Sequence, residues 1–300
     1  TDNYQKEVVI IDLTQKDANN KYPEAGYFNV PSEKDAKNVF VSANIGYVIA
    51  GDRLYSFDLS AKTGSRPILD SDGLKLEGAG TRVVVVGTYA YVTIKESNKE
   101  LQIIDVSNPT NLSAIGYADV TGKDAKDVFV NTTGTRAYIV TGKSDSQKEF
   151  FIINVTGKTG SQPLIGSYEA NGMNPKAVTV VPGNRAIIVG KEAEEYQVID
   201  IITESSPTRC GGLNIDDVKG INGIASVLEA DGDAYSYIMT GDHDSELKII
   251  EGGPGGQFAT SGTFESQTFD ASVSAQFNSF AVTQIVPSQT SLTYQVGIAH

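Results

Sequence analysis

Residues 101–105 read Leu101-Gln102-Ile103-Ile104-Asp105, a short apolar run closed by an acid, and the same cassette returns along the whole chain. Its other copies are Val9-Ile10-Ile11-Asp12, Tyr55-Ser56-Phe57-Asp58, Phe151-Ile152-Ile153-Asn154, Gln197-Val198-Ile199-Asp200 and Lys248-Ile249-Ile250-Glu251. Counted between the acid or amide positions, the spacings are 46, 47, 49, 46 and 51 residues. Such a period, with several short strands per repeat and no helical pattern, predicts an all-β propeller, in which each repeat is a small sheet packed against its neighbours.

Each period divides into four strand candidates. The first alternates, as in Val83-Val84-Val85 or Val128-Phe129-Val130, and should line the central axis, where β-branched residues pack well. A tight turn such as Gly183-Asn184-Arg185 leads to an aromatic-containing second strand such as Tyr138-Ile139-Val140. A polar loop often ending in Glu, as in Asn98-Lys99-Glu100 and Gln147-Lys148-Glu149, precedes the cassette as third strand. The cassette's acid can accept backbone N–H bonds where the strand breaks, which makes it a structural cap. The fourth strand is an edge, seen in Ile115-Gly116-Tyr117 and Leu164-Ile165-Gly166-Ser167-Tyr168.

The phase of the repeat predicts how the ring closes. The chain opens with a third and a fourth strand within residues 8–30 and finishes with a first and second within 279–299. The expectation is a six-bladed propeller of four-stranded blades, 1–300 as one domain, with the last blade built from both termini so that no sheet edge stays free. The alternative is a propeller over 1–254 followed, over 255–300, by the opening of a small β-sandwich module.

Lys plus Arg number 24 against 37 Asp plus Glu, a net charge of −13, so the surface repels nucleic acid and anionic membranes. Cys210 is the one cysteine, which excludes an intrachain disulfide and a cysteine-built zinc site. No run of about 18 apolar residues offers a membrane span. The chain begins inside a repeat and ends in a strand-like run, so a removed N-terminal segment and further C-terminal residues are both expected.

The stretch from Ala90-Tyr91-Val92 through Leu101-Gln102-Ile103-Ile104-Asp105-Val106-Ser107-Asn108-Pro109 to Ile115-Gly116-Tyr117 resembles the LVIVD repeat of prokaryotic secreted and cell-surface propellers. The resemblance covers about residues 8–251, with Ser56-Phe57, Asn154 and Glu251 departing from its pattern. It implies an extracellular location and a non-enzymatic interaction or scaffold role for a cell-surface or pilus-associated adhesin-like head. A prepilin-type N-terminus occurs in some such proteins. A filament subunit assembled through its termini and a glycosidase or lyase working at the channel mouth are the alternatives.

No catalytic set stands out: the histidines are His243, in an acidic loop, and the terminal His300. Lys37, Lys126 and Lys176 occupy equivalent positions just before the innermost strand, where Thr81 breaks the series. A positive mouth on an acidic protein suits an anionic ligand such as a carboxylated sugar, which makes a surface glycan or protein the expected partner. No cofactor is called for except calcium. Alternate carboxylates at Asp231 and Asp233, at Asp242, Asp244 and Glu246, and in Asp70-Ser71-Asp72-Gly73 could face one hard cation, although each is also ordinary turn chemistry. Asn111, Asn131 and Asn154 match the N-glycosylation acceptor pattern.

Overall fold

A computed structural model describes residues 6–31, 34–95, 98–120, 124–215, 219–228, 234–252, 263, 282, 284 and 291–295. The chain falls into two compact units, Thr1–Phe258 and Ala259–His300. Within the second, the Tyr294 hydroxyl donates to Gln284 Oε1 at 2.7 Å. The first carries the strands.

β1 (Val8–Ile11) pairs antiparallel with β2 (Glu24–Phe28). β3 (Ala36–Ser42), β4 (Ile45–Ala50) and β5 (Arg53–Asp58) form the next meander; β6 (Gly64–Ser65) pairs back onto β2, and β7 (Leu74–Lys75) adds outside β5. β8 (Gly80–Val86), β9 (Tyr89–Ile94), β10 (Leu101–Asp105) and β11 (Ser113–Ala118) follow. β12 (Ala125–Val130), β13 (Arg136–Thr141), β14 (Phe150–Asn154) and β16 (Leu164–Tyr168) make a fourth sheet, from which β15 (Gly160–Ser161) pairs back onto β11. β17 (Asn174–Val181), β18 (Arg185–Lys191), β19 (Tyr196–Asp200) and β20 (Thr208–Leu213) make the fifth, and β21 (Ile221–Leu228), β22 (Ala234–Thr240) and β23 (Leu247–Gly252) the sixth. The described residues contain no helix.

The inner strands β3, β8, β12, β17 and β21 are neighbours in that order. Apolar clusters fill the space between successive sheets, so the core is a series of interfaces rather than one centre. This explains the cassette: sandwiched by sheets on both sides, Leu101, Gln102, Ile103 and Ile104 are buried on both faces of β10, and Phe150 to Ile153 likewise on β14.

Three devices recur among the sheets. The cassette's terminal carboxylate or amide accepts the N–H two residues on: Thr14 to Asp12 (2.8 Å), Ser60 to Asp58 (2.8 Å), Ser107 to Asp105 (2.9 Å), Thr156 to Asn154 (3.1 Å) and Ile202 to Asp200 (2.8 Å). Glu251, whose cap position at residue 253 lies outside the described residues, accepts the Tyr235 hydroxyl at 3.3 Å. The loop glutamate before the third strand is a brace: Glu7, Glu100, Glu149 and Glu195 accept the N–H of Val30, Val120, Ala170 and Ile215, at 2.9, 2.9, 2.9 and 3.3 Å, where the chain leaves the fourth strand.

The third device spans blades. Lys62-Thr63-Gly64-Ser65 and Lys158-Thr159-Gly160-Ser161 lay β6 and β15 parallel on the outer edge of the preceding sheet, opposite Gly26 and Gly116. A Cβ at Gly26 or Gly116 would overlap the carbonyl oxygen of Lys62 or Lys158, so only glycine admits the approach.

Of the closing strands expected over 279–299, only Val282, Gln284 and residues 291–295 are described, and none of these lies in a strand. Among the described residues, Val9, Ile11, Val39 and Val41 toward one end of the series, and Val227, Met239, Leu247 and Ile249 toward the other, remain exposed.

Candidate functional site

Each of the five inner strands skips one residue in its pairing with the next strand, at Lys37, Thr81, Lys126, Lys176 and Asn222. A β-bulge inserts an unpaired residue and re-aims its side chain. The three lysines expected just before the innermost strand therefore sit inside it, on bulges. Together with the residues that follow them, the five bulge positions line one solvent-open cavity of about 230 Å³. Lys37, Lys126 and Lys176 thus come together, and the fourth cation there, Arg82, is one residue beyond the Thr81 position that interrupted the sequence series.

After two of the bulges, the next residue ties neighbouring blades. Asn38 Oδ1 accepts the Val83 N–H at 3.0 Å, and Asp127 Oδ2 accepts the Val178 N–H at 2.9 Å. Arg82 Nε lies 3.1 Å from Asp127 Oδ1, but its N–H does not point at that oxygen, which accepts no hydrogen bond. Burial pushes the Asp127 carboxyl up to about 6, against the opposing pull of the Arg82 charge and the Val178 and Val128 N–H groups. Thr81 Oγ1 lies 2.7 Å from Thr93 Oγ1 and donates toward the Ala125 carbonyl at 3.0 Å.

Two of the lysines have local acids: Lys37 Nζ is 3.8 Å from Asp35, with both side chains mostly exposed, and Lys126 Nζ is 3.3 Å from Asp124. Lys176 has no carboxylate at ion-pair distance among the described residues. Burial first, then the like charges of Lys191, Lys126 and Lys95, hold it below the usual lysine range. The cavity is a place where positive charge is crowded and, at Lys176, partly desolvated.

The other candidates fall elsewhere. Asp242 caps its own turn, accepting the Asp244 N–H (3.0 Å), the Ser245 hydroxyl (3.1 Å) and Lys248 Nζ (3.3 Å), contacts that lower its pKa. Among the described residues no three His, Cys, Asp or Glu side chains form a group able to hold a metal ion. Asp231 and Asp233 lie outside the described residues. In the Asp70 to Gly73 turn, Asp70 Oδ2 accepts the Leu112 N–H at 3.4 Å, and Arg53 Nη1 donates to the carbonyls of Asp72 and Gly73 at 2.7 and 2.9 Å. Of the acceptor-pattern asparagines, Asn111 is exposed, Asn131 Nδ2 donates to Thr135 Oγ1 at 3.0 Å, and Asn154 is the strand cap of its blade.

Residues 77–120, the blade of β8 to β11, match the family model of the LVIVD repeat. The likeness to that repeat covers this one blade. No curated protein matches the chain by sequence. In fold, the chain is similar to a Lactobacillus plantarum protein (TM-score 0.57, 13% identity, covering 81% of this chain and 80% of that one). It is also similar to the periplasmic gluconolactonase PpgL of Pseudomonas aeruginosa (TM-score 0.57, 11% identity, 71% of this chain and 64% of that one). A third likeness is to the β-propeller domain of Myceliophteria thermophila Cps50 (Swd1) (TM-score 0.52, 10% identity, 79% and 78%). The LVIVD blade thus belongs to a β-propeller framework.

The expectation that the chain is not an enzyme is corrected here. It rested on the lack of a catalytic motif and on the framework, yet a gluconolactonase is built on a similar one. The identity is too low for that likeness to carry more than fold.

Proposed function

We propose that the chain is an extracellular, cell-surface recognition propeller whose channel mouth takes an anionic ligand, a carboxylated sugar borne on a surface glycan. One observation carries the reading: Lys37, Arg82, Lys126 and Lys176, from four separate sheets, converge on one cavity in a chain of net charge −13. A cationic cleft in an acidic protein focuses potential on that cleft and raises the local concentration of anions. The ring in this reading has six blades, the last built by pairing residues 8–30 with 279–299. Carriage on a pilus belongs to the same reading.

Calorimetric titration with D-glucuronate tests it. Binding is expected to weaken as salt rises, and Lys126→Ala with Lys176→Ala is expected to lower affinity at least about tenfold, two charge-assisted contacts being lost. Binding indifferent to salt and to both changes would overturn the reading. Following D-gluconolactone hydrolysis in parallel separates recognition from turnover: hydrolysis by the parent chain and not by the double variant would make the mouth an active site.

A further inference from the structure

Resting on the mouth reading, the chemistry of its side chains narrows the ligand further. Lysine ammonium groups attract any anion, because they are compact charges without a preferred plane. Arg82 is different: a guanidinium is a planar fork that matches two oxygens of a carboxylate at once. Nearly half of its side chain is exposed (46%), and its Nε stands 3.1 Å from Asp127 Oδ1. Asp127 is in turn fixed to the next blade by the Val178 N–H at 2.9 Å. The Asp127 charge, not a hydrogen bond, therefore attracts the inner end of the fork, and its terminal nitrogens make no hydrogen bond among the described residues. Lys37, Lys126 and Arg82 have Asp35, Asp124 and Asp127 beside them, but Asp127 meets Arg82 only at Nε, which leaves the terminal nitrogens of Arg82 and the Lys176 ammonium as the donors most available to a ligand. On the same cavity lie Asn222 and Asn38; the latter spends Oδ1 on Val83 and keeps its amide N–H pair for another acceptor.

We propose that Arg82 is the carboxylate-reading residue of the mouth, positioned by Asp127, and that the ligand class is a polyhydroxy carboxylate such as a uronate or aldonate. The carboxylate accepts two parallel N–H bonds from the Arg82 terminal nitrogens. Lys176 and Lys126 supply attraction without direction, and the Asn38 and Asn222 amides meet hydroxyl groups of the ligand.

Titrations of the full chain with D-glucuronate, D-glucose and sulfate, on the parent and on Arg82→Lys, Asp127→Asn and Lys176→Ala, test this. The parent is expected to bind glucuronate in preference to sulfate and to show no binding of glucose. Arg82→Lys keeps the charge and removes the fork, so glucuronate affinity is expected to fall about tenfold while sulfate stays within about twofold. Lys176→Ala is expected to weaken both anions alike. Asp127→Asn is expected to weaken glucuronate several-fold and leave sulfate unchanged or tighter, since a negative charge has gone. Its effect should vanish on top of Arg82→Lys, as a residue acting through the other requires.

If Arg82→Lys weakens both anions in the same proportion, or neither, the carboxylate assignment is overturned while the anion-binding mouth stands. If no anion binds the parent, both fall. Should Asp127→Asn fail to fold, the contrast between Arg82→Lys and Lys176→Ala decides alone.

Discussion

The sheet of β12 to β14 and β16 and the sheet of β21 to β23 carry nearly the same third-strand sequence, Phe151-Ile152-Ile153-Asn154 and Lys248-Ile249-Ile250-Glu251, in different surroundings. In the first, Phe151 is 1% exposed, the Asn154 cap is made, Glu149 braces Ala170, and an outer strand completes the sheet. In the second, Ile249 is 59% exposed, Glu251 accepts the Tyr235 hydroxyl, and three strands are described. An apolar cassette becomes core only when a neighbouring sheet covers it, since burial in a propeller is a property of the interface between repeats.

The comparison can be broken at its strongest point first. Phe151→Ala is expected to cost about 3–5 kcal/mol in chemical denaturation, the usual penalty for emptying a fully packed aromatic site. A loss under about 1 kcal/mol would mean that the inter-blade cluster is not what stabilises the fold. Ile249→Ala sharpens the other side: on a face that is 59% exposed it should stay within about 0.5 kcal/mol, whereas a cost of about 2 kcal/mol would mean that this cassette too is covered.

Glycines at the blade edges give a second, smaller contrast. Gly116→Ala forces a methyl group against the Lys158 carbonyl and is expected to cost about 2–3 kcal/mol, while Gly211→Ala, whose Cβ would meet only Val198 at 3.7 Å, should stay within about 0.5 kcal/mol. Equal effects would show that β15 does not lean on the edge of the LVIVD blade.

The pH dependence separates two kinds of aspartate. Hydrogen bonds from Thr14, Ser60 and Ser107 hold Asp12, Asp58 and Asp105 below the usual aspartate range, so what they add is present above about pH 4 and lost as pH falls further. Asp127 has the opposite sign. With its folded value raised to about 6, the folded form binds a proton that the unfolded chain has released, and stability rises as pH falls through 6 toward 4. The gap corresponds to an order of 3 kcal/mol, partly offset by lost contacts, so Asp127→Asn is expected to gain about 1–2 kcal/mol at pH 7 and nothing at pH 4.5. An equal gain at both pH values would mean that the charge is not the cause. A stabilising change that weakens glucuronate would place Asp127 among residues kept for binding at a cost in stability.

The smallest expected effect is at the cap: Asp105→Ala should cost about 1 kcal/mol at pH 7, and less below pH 4, in thermal melts. Asn154, filling the same role without a charge, should show no such pH dependence on replacement by Ala.

Much of this architecture was readable along the chain. The period of the cassette and the acid as a cap are written in residues close together along the chain, and local chemistry records them, whereas the fourth-strand glycine answers to a carbonyl in the next repeat. Lys37, Lys126 and Lys176 were legible because equivalent positions in a repeat point to one axis. Arg82 was not, because Thr81 holds the aligned position and the bulge that brings its neighbour to the cavity leaves no mark in an alternating run. The brace made by Glu100 and Glu149 showed only as a recurring loop residue, since its partner is a backbone N–H about twenty residues on. The sequence by itself determined the strand content, the repeat length and the acidic charge, all set by side-chain pattern and count. The tertiary structure alone decided which cassettes are buried, which cations share a cavity and which aspartate loses its water, because each depends on distances between repeats that no local pattern contains.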